Sequence, residues 1–276
     1  MIVTIVDDFD LQKIADSGQC FRCRNFDGIY RFITGGHVIY LKPGTAGSYD
    51  VSCTCDEWKN IWIPYFDLER NYQEVRNSVR ADGFMEKAAE AGRGIRILRQ
   101  EPWEMLASFI ISQRKSIPAI KKAIESLATL CGKALHTQYE DIHSFPSAEE
   151  LCNVSDAALA DCGLGYRVPY IKDAAARIKD NPAALKEWAL LEDSTLLERL
   201  KTIHGVGDKV ANCVMLFAYG RMASVPVDTW INKVITERYQ SRNPFPAYGV
   251  HAGIMQQYTF YYMQQHKGGD KAGKLR

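Results

Sequence analysis

The chain has 276 residues with 34 basic against 33 acidic side chains, a net charge of +1, so an anionic partner would have to meet local rather than global positive charge. Its 46% hydrophobic and 24% charged residues suit a globular protein, and eight cysteines in this length do not suggest a disulfide scaffold, which favours a reducing compartment. No apolar run approaches the ~20 residues that span a bilayer, and the start, "MIVTIVDDFDLQK", lacks the basic residues of a signal peptide, so a non-membrane, cytoplasmic protein is expected.

In chain order, "IYRFITGGHVIYL" (29–41) is two β-rich runs around a Gly-Gly pair, a hairpin signal because a two-residue turn of this kind needs positive φ. "GSYDVSCTC" offers a third strand, so the first ~60 residues read as a small antiparallel sheet. After residue 65 the pattern turns helical, with apolar residues three and four apart in "NYQEVRNSVR", "PWEMLASFIISQ", "SIPAIKKAIESLATLCG" and "SAEELCNVSDAALADCG". Pro102 suits the first turn of a helix, and Gly132 and Gly163 read as helix stops. "DSTLLERLKTI" predicts a helix opened by a capping box, Thr195 with Glu198. "KVANCVMLFAYG" predicts another, ending at Gly220, and the tail "HKGGDKAGKLR" has the composition of a flexible segment. The expectation is an α+β protein: residues 1–95 an N-terminal antiparallel sheet domain with a helical extension, 96–266 a mainly helical domain, 267–276 a tail.

Between the two later helices lies "HGVGD", a tight glycine turn. Gly205 and Gly207 are expected to take left-handed conformations and to keep side chains out of the way. Backbone N–H groups at the turn and the following helix start would then form an anion site suited to a DNA phosphate. An ordinary αα-hairpin accounts for the same residues. Lys209 and Cys213, four apart, share one helical face. In "ASVPVDTWINKVI", nineteen residues beyond Lys209, Asp228 is expected at a helix N-terminus, where a carboxylate is electrostatically favoured and stays ionised. Taken singly, Lys209 also reads as a surface lysine and Asp228 as a plain cap.

Together, "GVGDK" and "VPVD" resemble the helix-hairpin-helix-Gly/Pro-Asp superfamily of DNA glycosylases. The resemblance implies that Lys209 attacks C1′ of the damaged nucleotide and that Asp228 stabilises the developing positive sugar and helps proton transfers. An amine forms a Schiff base only when deprotonated, and members without a lysine here hydrolyse with water. Lys209 therefore implies a bifunctional enzyme, glycosylase and β-lyase.

"SGQCFRCR" (17–24), "CGLGYRVPYI" (162–171) and "HAGIMQQYTF" resemble, in order, segments of 8-oxoguanine DNA glycosylases, which carry a characteristic N-terminal sheet domain. On this resemblance Phe260 and Cys213 sandwich a flipped base, Gln256 reads its Watson–Crick edge, and the Gly18 carbonyl accepts the N7 hydrogen that 8-oxoguanine has and guanine lacks. Tyr166 and Arg167 match residues that wedge into the duplex and contact the base left behind.

The chain also departs from the family. An Asn-rich run is replaced by "SQRKSIPAI", which puts Arg114 where an asparagine fills the vacated space and Ala119 where some relatives have an arginine to the orphaned cytosine. Arg114, Lys115 or Gln113 is expected to take over that role. Gln113 is also reminiscent of alkylpurine glycosylases, and Trp230 stands where a histidine is often found.

Cys20, Cys23, Cys53 and Cys55 have spacings that thiolate zinc sites use, but strand cysteines are usually core and no metal is expected. No cysteine follows Cys213, which argues against the iron–sulfur branches. No cofactor is required; the resemblance implies one monovalent cation on the hairpin carbonyls. The expected partner is double-stranded DNA containing oxidised guanine, met by a monomer in a bacterial cytoplasm, at the nucleoid, or in a nucleus. The competing readings are a glycosylase for another oxidised or alkylated purine, a non-catalytic DNA-binding hairpin module, and a small-molecule Schiff-base enzyme.

Overall fold

The structure is a computed structural model that describes residues 1–79 and 82–266. The tail expected at 267–276 lies outside the described residues. Five strands, β1 Ile2–Thr4, β2 Arg24–Phe26, β3 Ile29–Thr34, β4 His37–Pro43 and β5 Ser48–Val51, form one antiparallel sheet in the order β1-β5-β4-β3-β2. The β3–β4 hairpin closes at Thr34 opposite His37, with Gly35 at φ 52 and Gly36 at φ 86, so both turn residues adopt the conformation the Gly-Gly pair permits. The edge strands β1 and β2 are three residues each, too short to show an alternation.

Phe32, Ile39, Leu41 and Val51 pack on Trp62, Tyr65 and Phe66 to make the core of the sheet end. The run Tyr30–Ile33 is buried throughout rather than alternating, because its second face is also covered. A second, two-stranded sheet, β6 Ala134–His136 with β7 Asp141–His143, supplies that cover from the helical part. Arg31 bonds Glu140 there at 2.7 Å, and the Tyr40 and Tyr139 rings lie 4.3 Å apart.

The helices that frame the site are α1 Pro102–Ser112, α2 Ile117–Cys131, α3 Val168–Asp180, α4 Asp193–Lys201, α5 Asp208–Phe217, α6 Thr229–Arg238 and α7 Ala252–Gln265. Pro102 opens α1 as expected, and Gly163, at φ +82, follows the helix Asp156–Asp161. Gly132 ends α2 in extended rather than left-handed backbone. "SAEELCNVSDAALADCG" is two helices, because Ser147 and Ser155 each cap one with a side-chain oxygen. The capping box expected at Thr195 and Glu198 is not formed. Helix α4 starts three residues earlier, after Glu192 as N-cap, which leaves Thr195 inside its first turn. Among the described residues the capping boxes that do form are Thr54 with Glu57 and Ser147 with Glu150.

The segment 17–24 is the seam between the two cores. Cys20 and Cys23 belong to the sheet cluster, while Phe21 packs into the helical one, edge-on to Phe109 at 5.5 Å. Arg22, 1% exposed, ties the seam to Glu125 of α2 at 3.1 Å. The helices thus fix the height of the residues just before it, Ser17 and Gly18. Among the described residues no helix is long and apolar enough to cross a membrane.

Candidate active site

The hairpin expected around Lys209 is formed by α4, a turn and α5. Gly205 is at φ +81, and a Cβ there would meet the Tyr170 ring at 2.5 Å, so only glycine closes this turn. Gly207 departs from expectation. It is the extended N-cap of α5, φ −100 and ψ −176, and a Cβ would find no atom within 4 Å. The outer face of the helix start is therefore open to an incoming group.

Lys209, in the first turn of α5, holds its Nζ 5.0 Å from the centroid of the Phe109 ring. Cys213, one turn on, is buried, and burial pushes its thiol up while the Lys209 charge opposes this. Asp228 is the N-cap of α6, and its Oδ1 accepts from the Ile231 N–H at 2.8 Å. The sequence suggested a carboxylate favoured by the helix end. Here burial is the larger influence and raises the carboxyl above its ordinary value, against the Ile231 N–H, the Lys209 charge and the Trp230 N–H.

All three face one cavity of about 980 Å³. Its wall on α7 carries Gln256 and Phe260, one turn apart. Gln256 is 3% exposed, and its Oε1 is buried without a hydrogen-bond partner, as expected of a group that waits for a ligand. Gly18 faces this wall from the seam. It sits at φ +76, and a Cβ would lie 2.9 Å from Phe260 Cε1. Trp230 also lines the cavity, as does Phe109, which its apolar run did not distinguish from core.

A loop between α1 and α2 closes the rim. Gln113 donates from Nε2 to the Gly205 carbonyl at 3.0 Å, joining this loop to the hairpin. Lys115 Nζ donates to the Gly163 carbonyl at 2.6 Å. Between them Arg114 is exposed, at φ +51, a region that asparagine tolerates and arginine rarely adopts. Both Gln113 and Arg114 line the cavity.

Tyr166 and Arg167 stand outside the cavity lining and separate in role. Tyr166 is 51% exposed and available for stacking. Arg167, expected to project toward an unpaired base, is 5% exposed. Its guanidinium donates to the Leu164 and Gln113 carbonyls and lies over the Tyr166 ring at 4.2 Å. The backbone turn at 164–167 brings these acceptors within reach, which the sequence did not signal. Tyr170 and His204, with rings 4.6 Å apart, continue the aromatic contacts to the hairpin.

Among the described residues no group of three or more His, Cys, Asp or Glu is placed to hold a metal. Cys20 and Cys23 are buried, and burial raises both thiols, whereas Cys55 is exposed. The hairpin carbonyls of Ile203 and Gly205 each accept one hydrogen bond and keep a lone pair, a donor set compatible with a monovalent cation.

Residues 1–106 match the family model of the 8-oxoguanine DNA glycosylase N-terminal domain, and residues 107–248 that of the HhH-GPD superfamily base excision DNA repair proteins. The chain is similar to the Clostridium acetobutylicum 8-oxoguanine glycosylase/lyase, solved with double-stranded DNA containing cytosine opposite 8-oxoguanine. The two are 35% identical with a TM-score of 0.91, covering 96% of this chain and 95% of that one. It is 31% identical to the Arabidopsis thaliana N-glycosylase/DNA lyase OGG1 over 80% of its length, and 33% identical to the Saccharomyces cerevisiae N-glycosylase/DNA lyase over 67%. It spans 63% and 52% of those two proteins.

Proposed function

Because this chain belongs to the HhH-GPD superfamily of base excision DNA repair proteins and carries the N-terminal domain of 8-oxoguanine DNA glycosylases, we propose that it excises 8-oxoguanine, and ring-opened formamidopyrimidine-guanine, from duplex DNA and then cleaves the strand. The observation that carries this reading is the convergence of Gly18, Lys209, Cys213, Asp228, Gln256 and Phe260 on one cavity.

Extruding a nucleotide costs a few kcal/mol. Phosphate contacts at the hairpin, Tyr166 in the stack and the Phe260 face offset it. The Gly18 carbonyl accepts the N7 hydrogen, and Gln256 answers the Watson–Crick edge. Lys209 Nζ attacks C1′ with its lone pair, and the C1′–N9 electron pair leaves with the purine, which takes up a proton. Asp228, as carboxylate, stabilises the positive charge that spreads over C1′ and the ring oxygen. A proton passes from the Lys209 nitrogen to the ring oxygen as the C1′–O4′ bond breaks, which gives the protonated imine and a free 4′ hydroxyl. Removal of a C2′ proton then expels the 3′ phosphate by β-elimination. Low dielectric in the cavity strengthens the attraction between the Asp228 carboxylate and the positive sugar. Arg114, exposed at the rim, takes the contact with the opposite base, while Arg167 braces the loop. Such an enzyme acts wherever the chromosome is, in a bacterial cytoplasm or a nucleus, and needs only one copy of the chain.

Borohydride trapping on duplexes with 8-oxoguanine opposite each of the four bases tests this, with Lys209→Gln and undamaged duplex as controls. The expected result is a covalent adduct that requires both the lesion and Lys209. Undiminished base release by Lys209→Gln without an adduct would remove Lys209 as nucleophile. Neither adduct nor release on any duplex would overturn the lesion assignment and turn attention to alkylated purines.

A further inference from the structure

Gln257 follows Gln256 on α7 and is 2% exposed. Its Nε2 donates to the main-chain carbonyl of Ser17, 240 residues away in sequence. Ser17 is itself held, donating from Oγ to the Ile14 carbonyl at 2.7 Å and accepting from Gln19 Nε2 at 2.8 Å. Gln19, on the other side of Gly18, is fully buried. Its Nε2 also reaches the Arg96 carbonyl at 2.8 Å, and its Oε1 accepts from the Leu98 N–H at 2.8 Å. The Gln19 main-chain carbonyl accepts from Gln100 Nε2 at 2.8 Å. Both neighbours of Gly18 are therefore anchored by buried amide hydrogen bonds, one of them directly to α7.

We infer that Gln257 is a positioning residue for lesion discrimination: by tying the Ser17 carbonyl to α7, it fixes the Gly18 acceptor relative to Gln256 and Phe260. The inference rests on the reading that the cavity takes an extruded 8-oxoguanine. Oxidised and normal guanine differ at N7 by one hydrogen, and an acceptor can tell them apart only if it cannot retreat. A loosened Gly18 would move off the N7 lone pair of guanine and lose the repulsion that rejects it. It would also lose the geometry that rewards the N7–H, because hydrogen bonds weaken steeply when misaligned. Gly18 is at left-handed φ, and the Phe260 ring lies 2.9 Å from where a Cβ would stand, so there is little room for movement toward the ring. The Gln257 bond restricts movement along the chain.

The test uses Gln257→Met, which keeps the length of the side chain and removes the donor. Three quantities are read: single-turnover excision of 8-oxoguanine, β-elimination at a preformed abasic site, and, in a Lys209→Gln background, the ratio of affinities for duplexes carrying 8-oxoguanine or guanine. Excision is expected to slow about tenfold and the ratio to fall by a similar factor, the effect of one buried hydrogen bond. β-Elimination, which involves no base, is expected to stay within about twofold of the parent. Gln257→Leu, which has no donor in any protonation state, should shift the same ratio and keeps the inference testable if the methionine variant does not fold. An unchanged ratio in either folded variant, or equal loss of excision and β-elimination, overturns the positioning role. Failure of the parent protein to release 8-oxoguanine, by contrast, overturns the substrate reading from which the inference starts.

Discussion

Replacing Gly18 by alanine adds one methyl group at the point where the sheet end meets the base pocket. The backbone there is at φ +76, and a left-handed residue with a Cβ costs roughly 1–2 kcal/mol. The methyl would lie 2.9 Å from Phe260 Cε1 and 3.5 Å from Ile117 Cδ1. Carbon atoms prefer about 3.5–4.0 Å, so Ile117 is in ordinary contact while Phe260 has to give way by more than half an ångström. The ring would move into the slot where a base is to stack. Base–aromatic stacking is worth roughly 1–3 kcal/mol, so excision of 8-oxoguanine should fall by about five- to 150-fold. The strain itself should lower the melting temperature by only about 2–8 °C. β-Elimination at a preformed abasic site needs no stacked base and should change by less than about threefold. The assay is single-turnover cleavage of an end-labelled duplex, with and without hot alkali to separate base release from strand scission, well below the melting temperature of the variant. Excision at the parent rate would refute the close contact with Phe260, and equal loss at both steps would refute the separation of base pocket from lysine chemistry.

Asp228→Asn should keep or modestly raise stability at neutral pH, since asparagine caps a helix as well as aspartate and ends the cost of burying an ionised carboxylate, yet abolish most base release; a large loss of melting temperature would show that the carboxylate is mainly structural. Because burial raises the Asp228 carboxyl above 3.8 and the mechanism needs the ionised form, the rate should fall as pH drops through a midpoint above that value. Its effect on stability has the opposite sign, for a raised folded pKa means that protonation favours the native state as pH falls, and Asp228→Asn should remove both dependences. Arg167→Met should slow excision opposite all four bases alike, by loosening the loop at Gln113, whereas Arg114→Ala should change the ranking of opposite bases; the reverse pattern in the four-duplex assay would restore Arg167 as the base contact. Glu104, 5% exposed, is pushed up to about 7 by burial, so its ionisation costs stability that is fully felt above that pH and relieved as pH falls toward 4.5. Glu104→Gln should therefore stabilise the protein on the alkaline side by up to about 3 kcal/mol and hardly at all near pH 5, measured by urea unfolding at both.

What the chain determined locally is what a few neighbouring residues decide among themselves. Gly35 and Gly36 make the β3–β4 turn because glycine takes its positive φ without the penalty a Cβ brings. Pro102 opens α1, Asp228 caps α6, and the four-residue spacings of Lys209 with Cys213 and of Gln256 with Phe260 put each pair on one helical face. Those spacings made the cavity wall legible before any coordinates. Burial and distant partners lie beyond such signals. Thr195 and Glu198 have the letters of a capping box, but α4 begins at Asp193, and a four-residue motif does not say where packing sets a boundary. Gly207 has the same letter as Gly205 yet an extended backbone. Asp228 stands at a favourable helix end, and its carboxyl is still raised because the walls around it are apolar. Arg167 reads as an outward charge and instead bonds carbonyls of Leu164 and Gln113, fifty-four residues from the latter. Gln257 carried no signal at all, since an amide beside another amide does not reveal that its acceptor is Ser17. Helix faces and turns follow from periodicity and allowed dihedrals; pKa shifts, buried anchors and the reach of a guanidinium follow from which segments the fold packs together, and only the tertiary structure decides that.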